Sequence, residues 1–303
     1  MESIREMLER HRQCAGEAAA VRPVLKGVEG YDVYNPTAPF EYGGKRMICA
    51  RVEKRDSEVS QAVFFEETQK DVYQAAEGWE RYPLQDPSIT RVLGHYVLGG
   101  TEVFPHPEDP RRMCWHTVFY YGTDPQRLER LSQGPDGMKD VRLVELADGR
   151  IGIFTRPQGE KGGRGKIGFT IVKDFAEVTA GAMEDAPLLD LFGEEEWGGV
   201  NEACLLSDGR VGVLGHIACF EPEDVRHYYP MAFVFDPLTG EHTQPGILAE
   251  RREFLPGPSK RPDLEDVLFS GGLVRGEGKA VLYVGVSDCE IQYMVVPDPF
   301  SGV

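Results

Sequence analysis

Apolar and polar residues alternate in this chain over short runs, and Gly or Pro interrupts the runs about every ten residues, a pattern of strands and tight turns. One stretch departs from it. Glu2 to Ala20 holds no Pro and no Gly before Gly16, and reads as one amphipathic helix outside the main fold. The clearest hairpin runs from Leu84 to Gly100. Ile89 and Val92 flank polar Thr90 and Arg91, Leu93-Gly94-His95 supplies the turn, and Tyr96-Val97-Leu98 returns. Pro87 holds Asp86 out of the helical region and sets its carboxylate at the hairpin entrance.

The same template recurs: a polar pair, a short apolar strand, a Gly-containing turn, and a second apolar strand. It is found after Asn35-Pro36, with a turn at Gly43-Gly44, and after Lys139-Asp140, with a turn at Asp148-Gly149. It returns around Asn201-Glu202, with a turn at Asp208-Gly209, and around Ser270, with a turn at Gly276-Glu277-Gly278. Five units spaced by roughly 50 to 65 residues suit four-stranded propeller blades with loop insertions. The reading is all-β: a helical extension over residues 1–25, then a single five-bladed β-propeller over 26–303. A two-sheet sandwich is the alternative, but it does not explain why the polar residues recur at one place. In a propeller the leading residues Asn35, Asp86, Asp140, Glu202 and the Ser270 region converge on the axis. Such a mouth fits a hydroxyl-rich ligand.

Charge and cysteine usage narrow the function classes. A net charge of -17 over 303 residues argues against nucleic acid and against an anionic membrane surface. No run is long and apolar enough to span a bilayer, and the charged stretch Met1 to Arg12 lacks the apolar centre of a signal peptide. Cys14, Cys49, Cys114, Cys204, Cys219 and Cys289 are scattered without the close pairs of a metal site, and read as free thiols of a cytoplasmic protein. No metal and no cofactor are implied. Gly159 to Gly168 lacks a nucleotide-binding pattern and reads as a mobile loop. The N-terminal helix offers a face on which a second copy of the chain could pack.

In their order these strings resemble the five-bladed propellers of glycoside hydrolase family 130, the β-mannoside phosphorylases and hydrolases. Asn35-Pro36 with Arg51 is similar to that family's first blade, and Gln85-Asp86-Pro87-Ser88-Ile89-Thr90 to its Glu-Asp-Pro-Arg string. Lys139-Asp140 with Arg156 resembles the third blade, His216 the end of the fourth, and Tyr283-Val284-Gly285-Val286-Ser287-Asp288 the fifth. Closer still, Asp-Pro followed by Gly-Gly, Lys139-Asp140-Val141-Arg142 and Phe154-Thr155-Arg156-Pro157-Gln158-Gly159 resemble the domain of unknown function family 1861.

The resemblance implies a glycosidase acting on a small carbohydrate, a β-mannoside in the first instance, with Asp86 as general acid and inversion at the anomeric carbon. An inverting hydrolase also needs a carboxylate base about 6.5 to 9.5 Å away. Asp140, Glu202 and Glu102 are the candidates, the two glutamates favoured by their place near axial strand ends. Asn35, Arg51, Glu102, Lys139, Arg156, Asn201, His216 and Asp288 complete the implied substrate contacts. Ser88 stands where the family has an Arg that holds phosphate, and a hydroxyl replaces neither the charge nor the fork of a guanidinium. Hydrolysis is therefore favoured over phosphorolysis, with a non-catalytic sugar-binding propeller as a further alternative.

Plainer readings stand beside these. Asp86-Pro87 and Asn35-Pro36 also read as turn residues, Lys139-Asp140 as a solvated ion pair, and His216 as a core histidine. The literal string Glu108-Asp109-Pro110-Arg111 lies in a Pro-rich charged segment without a following strand, and is set aside. Trp79, Trp115 and Trp197 could stack on a sugar ring or fill the core.

Overall fold

A computed structural model of the protein describes residues 2–14, 16, 19–221 and 224–302. The strands form five successive antiparallel meanders. The first pairs Asp32–Tyr34, Lys45–Glu53, Gln61–Gln69 and Val72–Ala75 in that order, with Phe40–Tyr42 folded onto Lys45–Glu53 and Val24–Lys26 added parallel to Val72–Ala75. The second is Gln85–Val92, His95–Pro105, Met113–Gly122 and Glu129–Gln133. The third is Arg142–Glu145, Ile151–Thr155 and Gly168–Val172. Trp197–Leu205, Val211–Phe220 and Arg226–Phe235 make the fourth, with Gly246–Ile247 on its edge. Asp266–Arg275, Lys279–Val286 and Glu290–Pro297 make the fifth. A short parallel pairing, His227 with Asp266 and Tyr228 with Val267, joins the last two.

The turns are those the residue types demand. Leu93 and Gly94 both have positive φ, 47° and 75°, between the paired residues Val92 and His95. Two such residues give a hairpin turn whose twist matches that of the strands. Asp148-Gly149 and Asp208-Gly209 each close a hairpin with the Gly at positive φ.

Neighbouring meanders pack face to face, because each strand buries one side of its alternating pattern. Phe64 and Met47 of the first meet Leu98 and Val118 of the second. Val97 and Phe119 of the second meet Ile151 and Ile153 of the third, and Phe154 and Phe169 of the third meet Phe233 and Phe235 of the fourth. Leu214 of the fourth lies with Leu268 and Val284 of the fifth. Ile291 of the fifth joins the core of the first, and Val21 pairs with Tyr293, so the last meander closes onto the first. The leading strands Lys45–Glu53, Gln85–Val92, Arg142–Glu145, Trp197–Leu205 and Asp266–Arg275 lie successively side by side.

Of the helix expected over Glu2 to Ala20, Ile4–Cys14 is helical, and residues 15, 17 and 18 lie outside the described residues. It does not stand apart from the strands. Ile4, Met7 and Leu8 are buried in the core shared by the third and fourth meanders, and Arg12 and His11 bond Glu250 and Glu253 at 2.6 and 2.8 Å. Among the described residues no helix is long and apolar enough to cross a membrane, and all six cysteines are free.

Candidate active site

At one end of the leading strands, polar side chains from all five meanders line a cavity of 200 Å³. Asn35, Asp86, Asp140 and Asp288 enter it from four different meanders, and each has a left-handed backbone, with φ of 47°, 49°, 59° and 51°. Asn and Asp tolerate this region better than other residues with a Cβ, and its recurrence at one locus is strain concentrated at a site. At Asp86 the pre-proline restriction is thus met by a left-handed turn rather than by an extended chain. Three of the leading strands also carry a bulge here, at Gln85 to Ser88, Val200 to Glu202 and Ser270 to Gly272. A bulge re-aims the side chains that follow it.

The wall from the first, second and fifth meanders is rich in carboxylates. Asp86 Oδ1 accepts hydrogen bonds from Asn35 Nδ2 at 2.7 Å and Arg51 Nη1 at 3.1 Å. Burial pushes the Asp86 carboxyl up, but Arg51, Lys139 and the Asn35 bond overcome it and hold Asp86 below the ordinary carboxylate range. Arg51 is anchored from behind by Glu53 at 2.8 Å, and Glu53 is held in turn by Tyr34, Ser60 and Lys260. Asp288 behaves oppositely. Burial raises it, Arg51 opposes the rise, and the charge on Asp86 adds to it. Gly285 lies against Asn35 so closely that a Cβ would stand 1.8 Å from Asn35 Oδ1. The glycine of the Tyr283-Val284-Gly285 string thereby leaves room for the Asn.

The wall from the third and fourth meanders is cationic. Arg156 donates through Nε to Gly198 O at 2.7 Å and through Nη2 to Arg164 O at 3.3 Å. Its buried Nη1 has no hydrogen-bond partner among the described residues and stands 3.4 Å from Asp140 Oδ2. Burial raises Asp140, but Lys139 and Arg156 outweigh it and bring the carboxyl down to about 2, so Asp140 is ionised. Its Oδ1 is buried without a hydrogen-bond partner among the described residues. His216 stacks on Tyr228 and is bonded through Nδ1 to Asn201 Oδ1 at 2.8 Å. Burial lowers its pKa to about 3 and leaves the imidazole neutral. Lys139, Arg156, Arg226 and Tyr228 also line a groove of 780 Å³ together with Trp115 and Phe220.

The structure gathers Asn35, Arg51, Asp86, Lys139, Asp140, Arg156, His216 and Asp288 around one cavity, with Asn201 behind His216. Two residues singled out in the sequence lie elsewhere. Glu202 does not line the cavity; its carboxylate accepts from Leu273 N at 2.7 Å and faces a separate 550 Å³ pocket with Ile89 and Thr90. The bulge turns Asn201 toward His216 and sends its neighbour to the other side. Glu102 bonds His116 at 3.1 Å and Arg130 at 3.2 Å, outside the cavity. Ser270 Oγ is spent on Gly215 O at 2.6 Å. Asp109, of the literal Glu-Asp-Pro-Arg string, pairs with Arg111 in an exposed loop. Trp79 packs on Phe64 and Tyr42, while Trp197 lies beneath Arg164. The Gly159 to Gly168 stretch includes a helical turn, Gly159–Gly162, and is tied down where Lys166 Nζ meets three carbonyls.

Sequence reading missed Glu58, Tyr228, Arg226 and Arg261, which line the cavity from loops and from a third strand. It also missed Arg142, although the Lys-Asp-Val-Arg string contains it. Arg142 is buried and donates through Nε to Asn201 O at 2.9 Å. Ser88 does not line the cavity; it shares a narrow cleft with Arg142.

Comparison with known proteins adds relatives to this geometry. No curated protein sequence matches the chain. Among solved structures it is similar to MPT-4, a mannose phosphorylase from Leishmania mexicana determined with phosphate ion, at 36% identity and a TM-score of 0.91, over 98% of this chain and 93% of that one. It is similar to MPT-1, a GDP-Man-dependent mannosyltransferase from Leishmania mexicana, at 31% identity and a TM-score of 0.90, over 99% and 96%. A structure from the glycoside hydrolase family 130 of mannoside phosphorylases, a family described as containing glycoside hydrolases that target β-1,2 mannosidic linkages in Candida mannan, shares the fold alone, at 14% identity and a TM-score of 0.63 over 94% and 97%. A family model described as a protein of unknown function (DUF1861) matches residues 9–302, and the chain belongs to that family.

Proposed function

We propose that this chain is a five-bladed propeller enzyme that transfers a mannosyl unit between inorganic phosphate and a hydroxyl acceptor, with inversion. The five meanders that close in order support the propeller. The observation that carries the function is the division of the cavity. In a protein of net charge -17, its third- and fourth-meander wall presents three cations, Lys139, Arg156 and Arg226, against one carboxylate, Asp140, which stands 3.4 Å from Arg156 Nη1; Arg226 also pairs with Asp263. The opposite wall presents Asp86, Asp288 and Glu58, with Arg51 paired to Asp86 and Arg261 to Glu58. Cations in a desolvated cleft recognise phosphate, and carboxylates recognise sugar hydroxyls. The 36% identical phosphorylase determined with phosphate ion supports the same division.

The sequence reading favoured hydrolysis because of Ser88. That residue lies off the cavity, so its identity does not remove the cations that face it. In phosphorolysis the Asp86 carboxyl gives its proton to the glycosidic oxygen as a phosphate oxygen attacks the anomeric carbon from the opposite face. In synthesis ionised Asp86 takes the proton of the acceptor hydroxyl as that oxygen attacks, and phosphate leaves. The depressed pKa leaves Asp86 ionised at neutral pH, the form from which synthesis starts. Asn35 and Arg51 orient Asp86, Asp288 and Glu58 hold the sugar, and the 780 Å³ groove receives the acceptor. Inverting hydrolysis is a second reading: ionised Asp140, with a free Oδ1, could take a proton from water.

The test is release of inorganic phosphate from mannose 1-phosphate with mannose or a β-mannoside as acceptor, and the reverse reaction with added phosphate. Turnover in both directions supports the proposal. Free mannose released from a β-mannoside at a rate indifferent to phosphate would replace it with hydrolysis.

A further inference from the structure

We infer that the cationic half of the cavity is built for an oxyanion that carries its own proton, hydrogen phosphate rather than sulfate. The inference rests on the proposed phosphate site and adds the form of anion that the site selects.

Three buried groups on this wall carry it. Arg156 Nη1 is a donor without a hydrogen-bond partner among the described residues, while Nε and Nη2 are fixed on two carbonyls. It can only donate a proton, and its ion-pair partner Asp140 Oδ2 stands 3.4 Å away. Asp140 Oδ1 is an acceptor without a hydrogen-bond partner among the described residues, on a carboxylate kept ionised by Lys139 and Arg156. It can only receive one. His216 is neutral, and its Nδ1 faces an amide oxygen, Asn201 Oδ1, at 2.8 Å. With the amide in this orientation the ring proton sits on Nδ1 and Nε2 keeps its lone pair, and Asn201 Nδ2 is left without a hydrogen-bond partner among the described residues. Gly199 lies against both Arg156 and His216, and all three polar groups belong to one wall of the 200 Å³ cavity.

An anion bound to Arg156 therefore meets two acceptors as well as a donor. Hydrogen phosphate satisfies both kinds. Its P–OH donates to Asp140 Oδ1 or His216 Nε2, and its bare oxygens accept from Arg156 and Lys139. Sulfate has four bare oxygens at neutral pH. One of them would face the Asp140 carboxylate, lone pair against lone pair, with no proton between. Loss of a charged hydrogen bond and the accompanying repulsion amount to ~10-fold or more in affinity. Arsenate, which keeps a proton near neutrality, would bind like phosphate.

Titration calorimetry on the whole protein without sugar tests this, with phosphate, arsenate and sulfate at matched ionic strength and neutral pH. The expected result is phosphate and arsenate alike, and sulfate weaker by ~10-fold or more. In Asp140→Asn the side chain can donate through Nδ2, and the preference collapses or inverts. Equal affinity of the native protein for phosphate and sulfate would overturn the inference and leave the phosphate reading intact; it would mean that a sugar hydroxyl is the partner of Asp140. Binding of neither anion would overturn both. If thermal melting shows that Asp140→Asn is unfolded, the native ratio of phosphate to sulfate affinity decides alone.

Discussion

Arg51 Nη1 and Asn35 Nδ2 converge on a single oxygen of Asp86, Oδ1, at 3.1 and 2.7 Å, and leave Oδ2 without a hydrogen bond among the described residues. The carboxylate is thereby oriented, with one oxygen committed to the protein and the other free for chemistry. Asp86→Asn keeps the shape and loses the proton acceptor. We expect kcat to fall by ~10²- to 10⁴-fold with little change in KM. A fall in KM-dependent terms alone would make Asp86 a binding residue.

Arg51 serves two buried carboxylates, Asp86 and Glu53; its removal leaves Asp86 with no ion-pair partner among the described residues and only the Asn35 hydrogen bond, while Glu53 keeps Lys260. Arg51→Met should destabilise the protein by about 3 to 5 kcal/mol, because an uncompensated buried charge costs more than the pair contributes. The change also lifts the Asp86 pKa, since its chief stabilising charge is gone. The synthetic direction needs ionised Asp86, so its acid limb should move to higher pH. The phosphorolytic direction needs the protonated form, and its alkaline limb should move the same way. Denaturant unfolding and pH profiles of kcat/KM in both directions check these outcomes.

These residues were legible because each leads a short apolar run as a turn-forming residue, and the runs repeat. Asn35, Asp86 and Asp140 are such residues, and the left-handed backbone they share is one that Asn and Asp tolerate. Glu202 was misread for a physical reason. A one-residue bulge at Val200 to Glu202 inverts the facing of every residue after it, and period-two counting cannot see a bulge. Ser88 stands off the cavity for a related reason, since a bulge spans Gln85 to Ser88. Glu58, Arg261 and Tyr228 reach the cavity from loops and an outer strand, so only the tertiary fold identifies them.

Glu202, away from the cavity, makes a prediction about stability. Burial raises its carboxyl from 4.5 to about 7, opposed by its bond from Leu273 N. A raised folded-state pKa means that the folded protein holds the proton more tightly than the unfolded chain. The stabilisation is complete below 4.5 and is lost as pH rises through about 7. Glu202→Gln keeps an oxygen for Leu273 N and removes the charge. The variant should match the native protein near pH 4.5 and exceed it on the order of 2 kcal/mol above pH 7, measured by urea unfolding across that range. A difference constant with pH would mean that Glu202 does not titrate there.

Gly165 ties the groove to the anion wall. Its φ is 145°, a conformation that residues with a Cβ avoid, and an added Cβ would stand 2.6 Å from the Arg156 guanidinium. A flexible Arg would swing aside, but this one is held by Gly198 O and, through the loop itself, by Arg164 O. Gly165→Ala must therefore strain the loop or move the guanidinium. The strain is about 1 to 3 kcal/mol, which the fold should survive. Moving Arg156 displaces Nη1, a buried donor on that wall with no hydrogen-bond partner among the described residues, from its place 3.4 Å from Asp140 Oδ2. We expect the KM for phosphate to rise ~10-fold or more while the KM for the mannoside stays nearly unchanged, because Asp86, Asp288 and Glu58 are untouched. Equal rises in both constants would show that the cavity moves as a unit rather than as two independent walls.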